Sequence, residues 1–206
     1  MRKIAIPALM LLAMVAAVAQ SSASHASHWQ LTDSETLWTG RYSNCQYGYF
    51  LLLPIGVVAH AEHPPNPHHG FLVKLPEVAV RDEVTFDNSD RLVWVNAEYN
   101  ATEHSTLNGV ADYQIELTGE EKQSFRVLER GPATLQSRPA IRFKAEYDIP
   151  KSRVIEEVLV ALRTGVVYEL GLHTTEEHYA VDRETFRRLI AGFRFTPVPK
   201  GQCWNE

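Results

Sequence analysis

The stretch Glu157-Val158-Leu159-Val160-Ala161-Leu162-Arg163 is followed by Thr164-Gly165 and then by Val166-Val167-Tyr168-Glu169-Leu170-Gly171-Leu172-His173. Two β-rich runs separated by two turn-forming residues predict an antiparallel hairpin. A half-buried strand keeps its apolar residues on one face. Here Val158, Val160 and Leu162 lie on one face, while Leu159 and Ala161 lie on the other. Strands apolar on both faces sit in mid-sheet with layers above and below. The fold class expected is α+β, a twisted antiparallel sheet flanked by helices.

Outward from this hairpin, residues 140 to 147 alternate strictly between apolar and charged, so one face of that strand meets a core and the other water. Phe71 to Leu75 and Leu92 to Tyr99 read as short strands. Gln46 to Leu53 reads as a buried strand that stops in the turn Pro54-Ile55-Gly56. Leu107, Val110, Ala111 and Ile115 have roughly helical spacing and predict a helix within 105–117. The closing helix carries Phe186, Leu189, Ile190 and Phe193 as one apolar stripe, with Arg187 and Arg188 pointing away. Asp182 is placed to cap its start and Gly192 to stop its end.

The first 26 residues read as a secretory leader. Arg2 and Lys3 supply a positive start, Ile4 to Val18 form an apolar run broken only by Pro7, and Ala17-Val18-Ala19 fits a cleavage site. Cleavage after Ala23 or Ala26 fits as well. The run is too short for a spanning helix, which needs about 20 residues. The organisation expected is a leader over 1–26, a polar arm over 27–40 and one α+β domain over 41–206. The location expected is secreted or periplasmic.

The chain holds two cysteines, Cys45 and Cys203. In an oxidising compartment a lone pair reads as a disulfide, and this one would close nearly the whole domain. In the chain-entropy model such a loop is worth on the order of 4–5 kcal/mol. Loss of Arg2 and Lys3 takes the net charge from -5 to -7. A mildly acidic chain without a Lys/Arg block argues against nucleic acid or an anionic membrane as a partner. A protein or small ligand in the envelope is the partner expected.

Val166-Val167-Tyr168-Glu169-Leu170, followed by a connector, a capped helix and Gly192-Phe193-Arg194-Phe195, resembles the C-terminal half of the PsbP-like α/β/α sandwich superfamily. Tyr47-Gly48-Tyr49 running into Leu53-Pro54-Ile55-Gly56 is similar to that family's opening strand and turn. The resemblance implies an α/β/α sandwich used for binding rather than catalysis. The roles it offers are photosystem subunits, a Ran-binding protein, secretion adaptors and secreted lipoproteins. No catalytic set comes with it.

The dense group of metal-ligand types is His60, Glu62, His63, His68 and His69, in a segment stiffened by Pro64, Pro65 and Pro67. Imidazoles suit zinc, copper and nickel. The spacing matches no specific motif, and the plainer reading is an exposed polar loop. There is no G-x-S-x-G elbow, H-E-x-x-H or P-loop. Glu176, Glu177 and His178 read as a solvated connector. His173, on the strand face of Glu169, reads as a surface position. Trp29, Trp38 and Tyr42 read as packing for the arm, and Asn100-Ala101-Thr102 as a chance glycosylation match. The function expected is a secreted, non-enzymatic binding or scaffolding protein without a cofactor. The alternatives are a metal-binding protein using the His60–His69 loop and a small secreted hydrolase.

Overall fold

The computed structural model describes residues 35–62, 69–75, 91–101, 104–120, 122–150 and 152–197. The strands are β1 (Glu35–Trp38), β2 (Arg41–Asn44), β3 (Tyr49–Leu52), β4 (Ala59–Glu62), β5 (Gly70–Lys74), β6 (Leu92–Tyr99), β7 (Arg126–Leu135), β8 (Arg138–Ile149), β9 (Ser152–Arg163), β10 (Val166–Thr175) and β11 (Phe193–Phe195). The helices are α1 (Leu107–Gly119) and α2 (Tyr179–Gly192). Eight strands form one antiparallel sheet in the order β1-β4-β5-β6-β10-β9-β8-β7, and β11-β3-β2 form a second. Helix α1 lies on one face of the large sheet. Helix α2 and the small sheet lie on the other.

The hairpin that decides the fold joins β9 to β10, with Arg163 opposite Val166. Thr164 and Gly165 have φ of 48° and 77°, the two left-handed residues of a tight primed turn. This hairpin is central, with β8 on one side and β6 on the other. Val158, Val160 and Val167 pack with Val110 and Ala111 of α1. Leu159, Ala161, Tyr168, Leu170 and Leu172 join the core under α2 and the small sheet. Burial on both faces is thus met by a layer on each side.

Helix α1 begins where Thr106 accepts a hydrogen bond from the Gly109 N–H at 3.2 Å. Helix α2 departs from expectation at its start. It starts at Tyr179, after a turn in which the His178 N–H donates to the Thr175 carbonyl at 3.0 Å. Asp182 therefore lies inside the first turn. There it is 2% exposed, taking two hydrogen bonds from Arg91 and one from Thr174 Oγ1. Its carboxylate ties the helix to the sheet instead of capping it. Gly192 is the last residue of the helix, as expected, and it has a second role: a Cβ there would stand 2.2 Å from the Leu52 carbonyl oxygen. The closing helix can reach β3 because that position has no side chain.

Other boundaries move for clear reasons. The buried run expected from Gln46 starts as a strand at Tyr49, because Asn44 folds the preceding residues into a turn by accepting from the Tyr47 N–H at 3.2 Å. Residues 35–38, expected in the arm, form an edge strand on β4. Strand β7 has no alternation to read, and it carries Pro132. It is an edge strand paired with β8, where a missing N–H is tolerated. No described helix is long and apolar enough to cross a membrane.

Candidate functional site

The histidine group is not brought together in the described residues. Strand alternation puts His60 on the α1 side of the sheet, opposite Leu72. His69 faces the other way: its Nδ1–H donates to the Ala97 carbonyl at 3.0 Å and its ring stacks on Tyr47 at 5.3 Å. These two imidazoles stand on opposite faces. His63 and His68 lie outside the described residues, and of Glu62 only the strand position is described. Among the described residues no three His, Cys, Asp or Glu side chains are grouped to hold a metal ion. Cys45 sits in the turn after β2, and Cys203 lies outside the described residues.

The remaining candidates have structural partners. Glu176 and Glu177 are exposed, and the His178 Nδ1 is 2.8 Å from Thr175 Oγ1. Trp38 packs edge-on against the fully buried Tyr42, with centroids 5.4 Å apart; Trp29 lies outside the described residues. Asn100 Nδ2 donates to the His104 carbonyl at 2.8 Å; Thr102 of that motif lies outside the described residues.

A different group emerges from the register of β6 and β10. Asn96 is the cross-strand partner of Glu169, Trp94 of Gly171 and Glu98 of Val167. By alternation these side chains share the α1 face. Val167 belongs to the α1 core and Trp94 packs at its margin, whereas Asn96, Glu98 and Glu169 belong to neither hydrophobic cluster. Trp94, Asn96, Glu98 and Glu169 are each half-buried. Yet Asn96 Oδ1 and Glu169 Oε1 are closed off from solvent and have no hydrogen-bond partner among the described residues. Two neighbouring buried oxygens left unmatched among the described residues are unusual, since burial without a hydrogen bond costs about 1–3 kcal/mol per group.

The electrostatics follow from this placement. Burial, the larger cause, and the nearby Glu98 carboxylate push the Glu169 carboxyl from 4.5 up to about 8. The carboxyl is therefore mostly neutral at pH 7. The Trp94 indole is fixed by close approach: a Cβ on Gly171 would fall 2.0 Å from Trp94 Cζ2. Glycine at 171 is what lets the ring lie flat on β10 beside the acceptors. Further out on the same face stand Lys74 of β5 and His60 of β4. His60 is pushed below its ordinary value by burial first and by the Lys74 charge second.

His173 is half-buried rather than on the surface, with its Nδ1 3.1 Å from Tyr147 Oη. The sequence does carry a signal for this face, a lone glutamate in the mid-sheet run Val166-Val167-Tyr168-Glu169-Leu170. Local alternation alone assigns it to solvent, because the neighbour across β6 is not visible from one strand.

No family model and no curated protein matches the sequence. Among solved structures, cyanobacterial PsbP (CyanoP) from Synechocystis sp. PCC 6803 is similar with a TM-score of 0.50 and 12% identity, over 78% of this chain and 92% of that one. The Saccharomyces cerevisiae Ran-binding protein Mog1p is similar at 0.49 and 12%, over 78% and 96%. LpqN of Mycobacterium tuberculosis, involved in cell envelope biogenesis, is similar at 0.44 and 12%, over 79% and 91%. Identities this low speak to the fold alone. The chain has the PsbP-like fold, an antiparallel sheet with a helix on each face.

Proposed function

We propose that this chain is a secreted, non-enzymatic binding protein of the cell envelope that holds a small ligand or partner group on the α1 face of β6 and β10. The observation that carries the reading is the pair of oxygens unmatched among the described residues, Asn96 Oδ1 and Glu169 Oε1, beside a fixed indole. Sites that bind small molecules combine apolar or aromatic surface with a few placed polar groups. The leader over residues 1–26 supports export. A Cys45–Cys203 bond is part of the same proposal. The Thr196 N–H donates to the Gly48 carbonyl at 2.8 Å, and Arg163 holds the Thr196 carbonyl at 2.7 Å. The chain end thus leaves the sheet three residues from Cys45, and seven residues reach roughly 23–25 Å when extended.

Native mass spectrometry of the exported protein tests this reading. The mature chain is expected to start between residues 20 and 27, to weigh two hydrogens less than its reduced form, and to carry a bound compound that Glu169→Gln loses. A retained leader, or a bare protein under native conditions, would contradict it. One observation favours a small hydrolase instead: two carboxyls on one face, with Glu169 shifted upward, can serve as an acid and a base. Turnover of ester or glycoside substrates that vanishes in Glu169→Gln would establish that second reading.

A further inference from the structure

Resting on the binding reading above, we propose that Asn96, Glu98 and Glu169 receive a primary ammonium group, the protonated amine of a small organic ligand, with the Trp94 indole beside it. Asn96 Oδ1 is an acceptor, and the Glu169 carboxyl becomes an acceptor-only group once it gives up its proton, so a cationic donor can satisfy both where an anion satisfies neither. Glu98 is the diagonal neighbour of Glu169 on the same face and adds a third acceptor with negative charge. Three acceptors match the three N–H donors of an ammonium group. Trp94, lying over Gly171 and packed on the α1 core, supplies apolar surface at the margin of the group. A bare divalent ion fits less well. Calcium asks for six to eight oxygens, and the described residues gather no set of three metal-ligating side chains.

Among the described residues the charged groups around this face are few. Besides Glu98 there are His173 further along β10, Glu156 on β9 held by Lys122 at 2.8 Å, and Lys74 and His60 on β5 and β4. Helix α1 buries Gln114 but no charged side chain. The Lys74 charge is felt at His60, whereas Glu169 is shifted by burial and Glu98. Docking of an ammonium ion therefore expels the Glu169 proton to solvent and leaves a carboxylate against the cation.

Isothermal titration of the mature protein with n-butylammonium, tetramethylammonium, n-butyramide and calcium tests the assignment. Butylammonium is expected to bind best and to release about one proton at pH 7, read from heats in phosphate and MOPS buffers. Its affinity should climb roughly twentyfold from pH 6.5 to 8.5, following the Glu169 carboxyl. Asn96→Leu and Glu169→Gln, both checked for native circular dichroism, should each lose binding at least about tenfold. Equal binding of tetramethylammonium, preference for butyramide or calcium, or no binding by any probe would overturn the proposal. If butylammonium fails while the exported protein still carries a compound lost in Glu169→Gln, the ammonium assignment falls and the binding reading stands.

Discussion

Glu169→Gln is expected to stabilise the protein, and to do so only where the parent carboxyl is forced to ionise. The carboxyl moves from 4.5 to about 8 on folding because it is closed off from water and faces Glu98. A raised carboxyl favours the folded state fully below its unfolded value, and that contribution is lost as pH climbs through the folded value. At about 1.4 kcal/mol per unit, the parent loses roughly 3 kcal/mol between pH 4.5 and 7 and about 4 by pH 9. Glutamine keeps the shape of the neutral acid and cannot ionise. Urea unfolding at pH 4.5, 7 and 9, followed by tryptophan fluorescence, should show the two proteins nearly equal in acid and the variant several kcal/mol more stable in base. Parallel curves with a constant offset would refute the reasoning, because they would mean that Glu169 ionises freely in the folded protein.

The packing assignments make further predictions. Phe186 is 1% exposed within the main core, so Phe186→Ala should cost roughly 3–5 kcal/mol by thermal or urea unfolding. Arg187→Ala, on the exposed side of α2, should stay within about 0.5 kcal/mol; equal shifts would contradict the face assigned to the helix. Gly192→Ala should destabilise, although alanine is favoured over glycine by about 1 kcal/mol inside helices. Its Cβ would meet the Leu52 carbonyl at 2.2 Å, and a raised melting temperature would show that α2 does not approach β3 so closely. Titration with zinc, copper and nickel should give only weak heats, since His60 and His69 face opposite sides of the sheet. A tight complex lost in His63→Ala/His68→Ala would instead establish a set built from His60, His63 and His68.

The parts of the fold legible in the sequence are those whose signal is local. The β9–β10 hairpin needs only its two-residue turn, and its burial on both faces follows from Val158, Leu159, Val160 and Ala161. Strand β6 runs over the same residues, Leu92 to Tyr99, that its composition predicts. What the sequence does not disclose depends on neighbours far along the chain. Asp182 has the chemistry of a cap, but Arg91 and Thr174 draw it into the interior. Gly192 ends the helix as its composition predicts, but the approach of Leu52 that its absent side chain permits is not visible in the sequence. Glu169 shows the effect most clearly. Its alternation partner His173 suggests a solvent face, and only the pairing with β6 brings Asn96 and Glu98 beside it.

The most direct test of the binding site is the electron density between Asn96 Oδ1 and Glu169 Oε1 in crystals of the mature protein isolated from its native source. The density expected is a bound group larger than water, donating to both oxygens and lying against Trp94. A lone water bridging the two atoms, or a direct hydrogen bond between the two side chains, would contradict it.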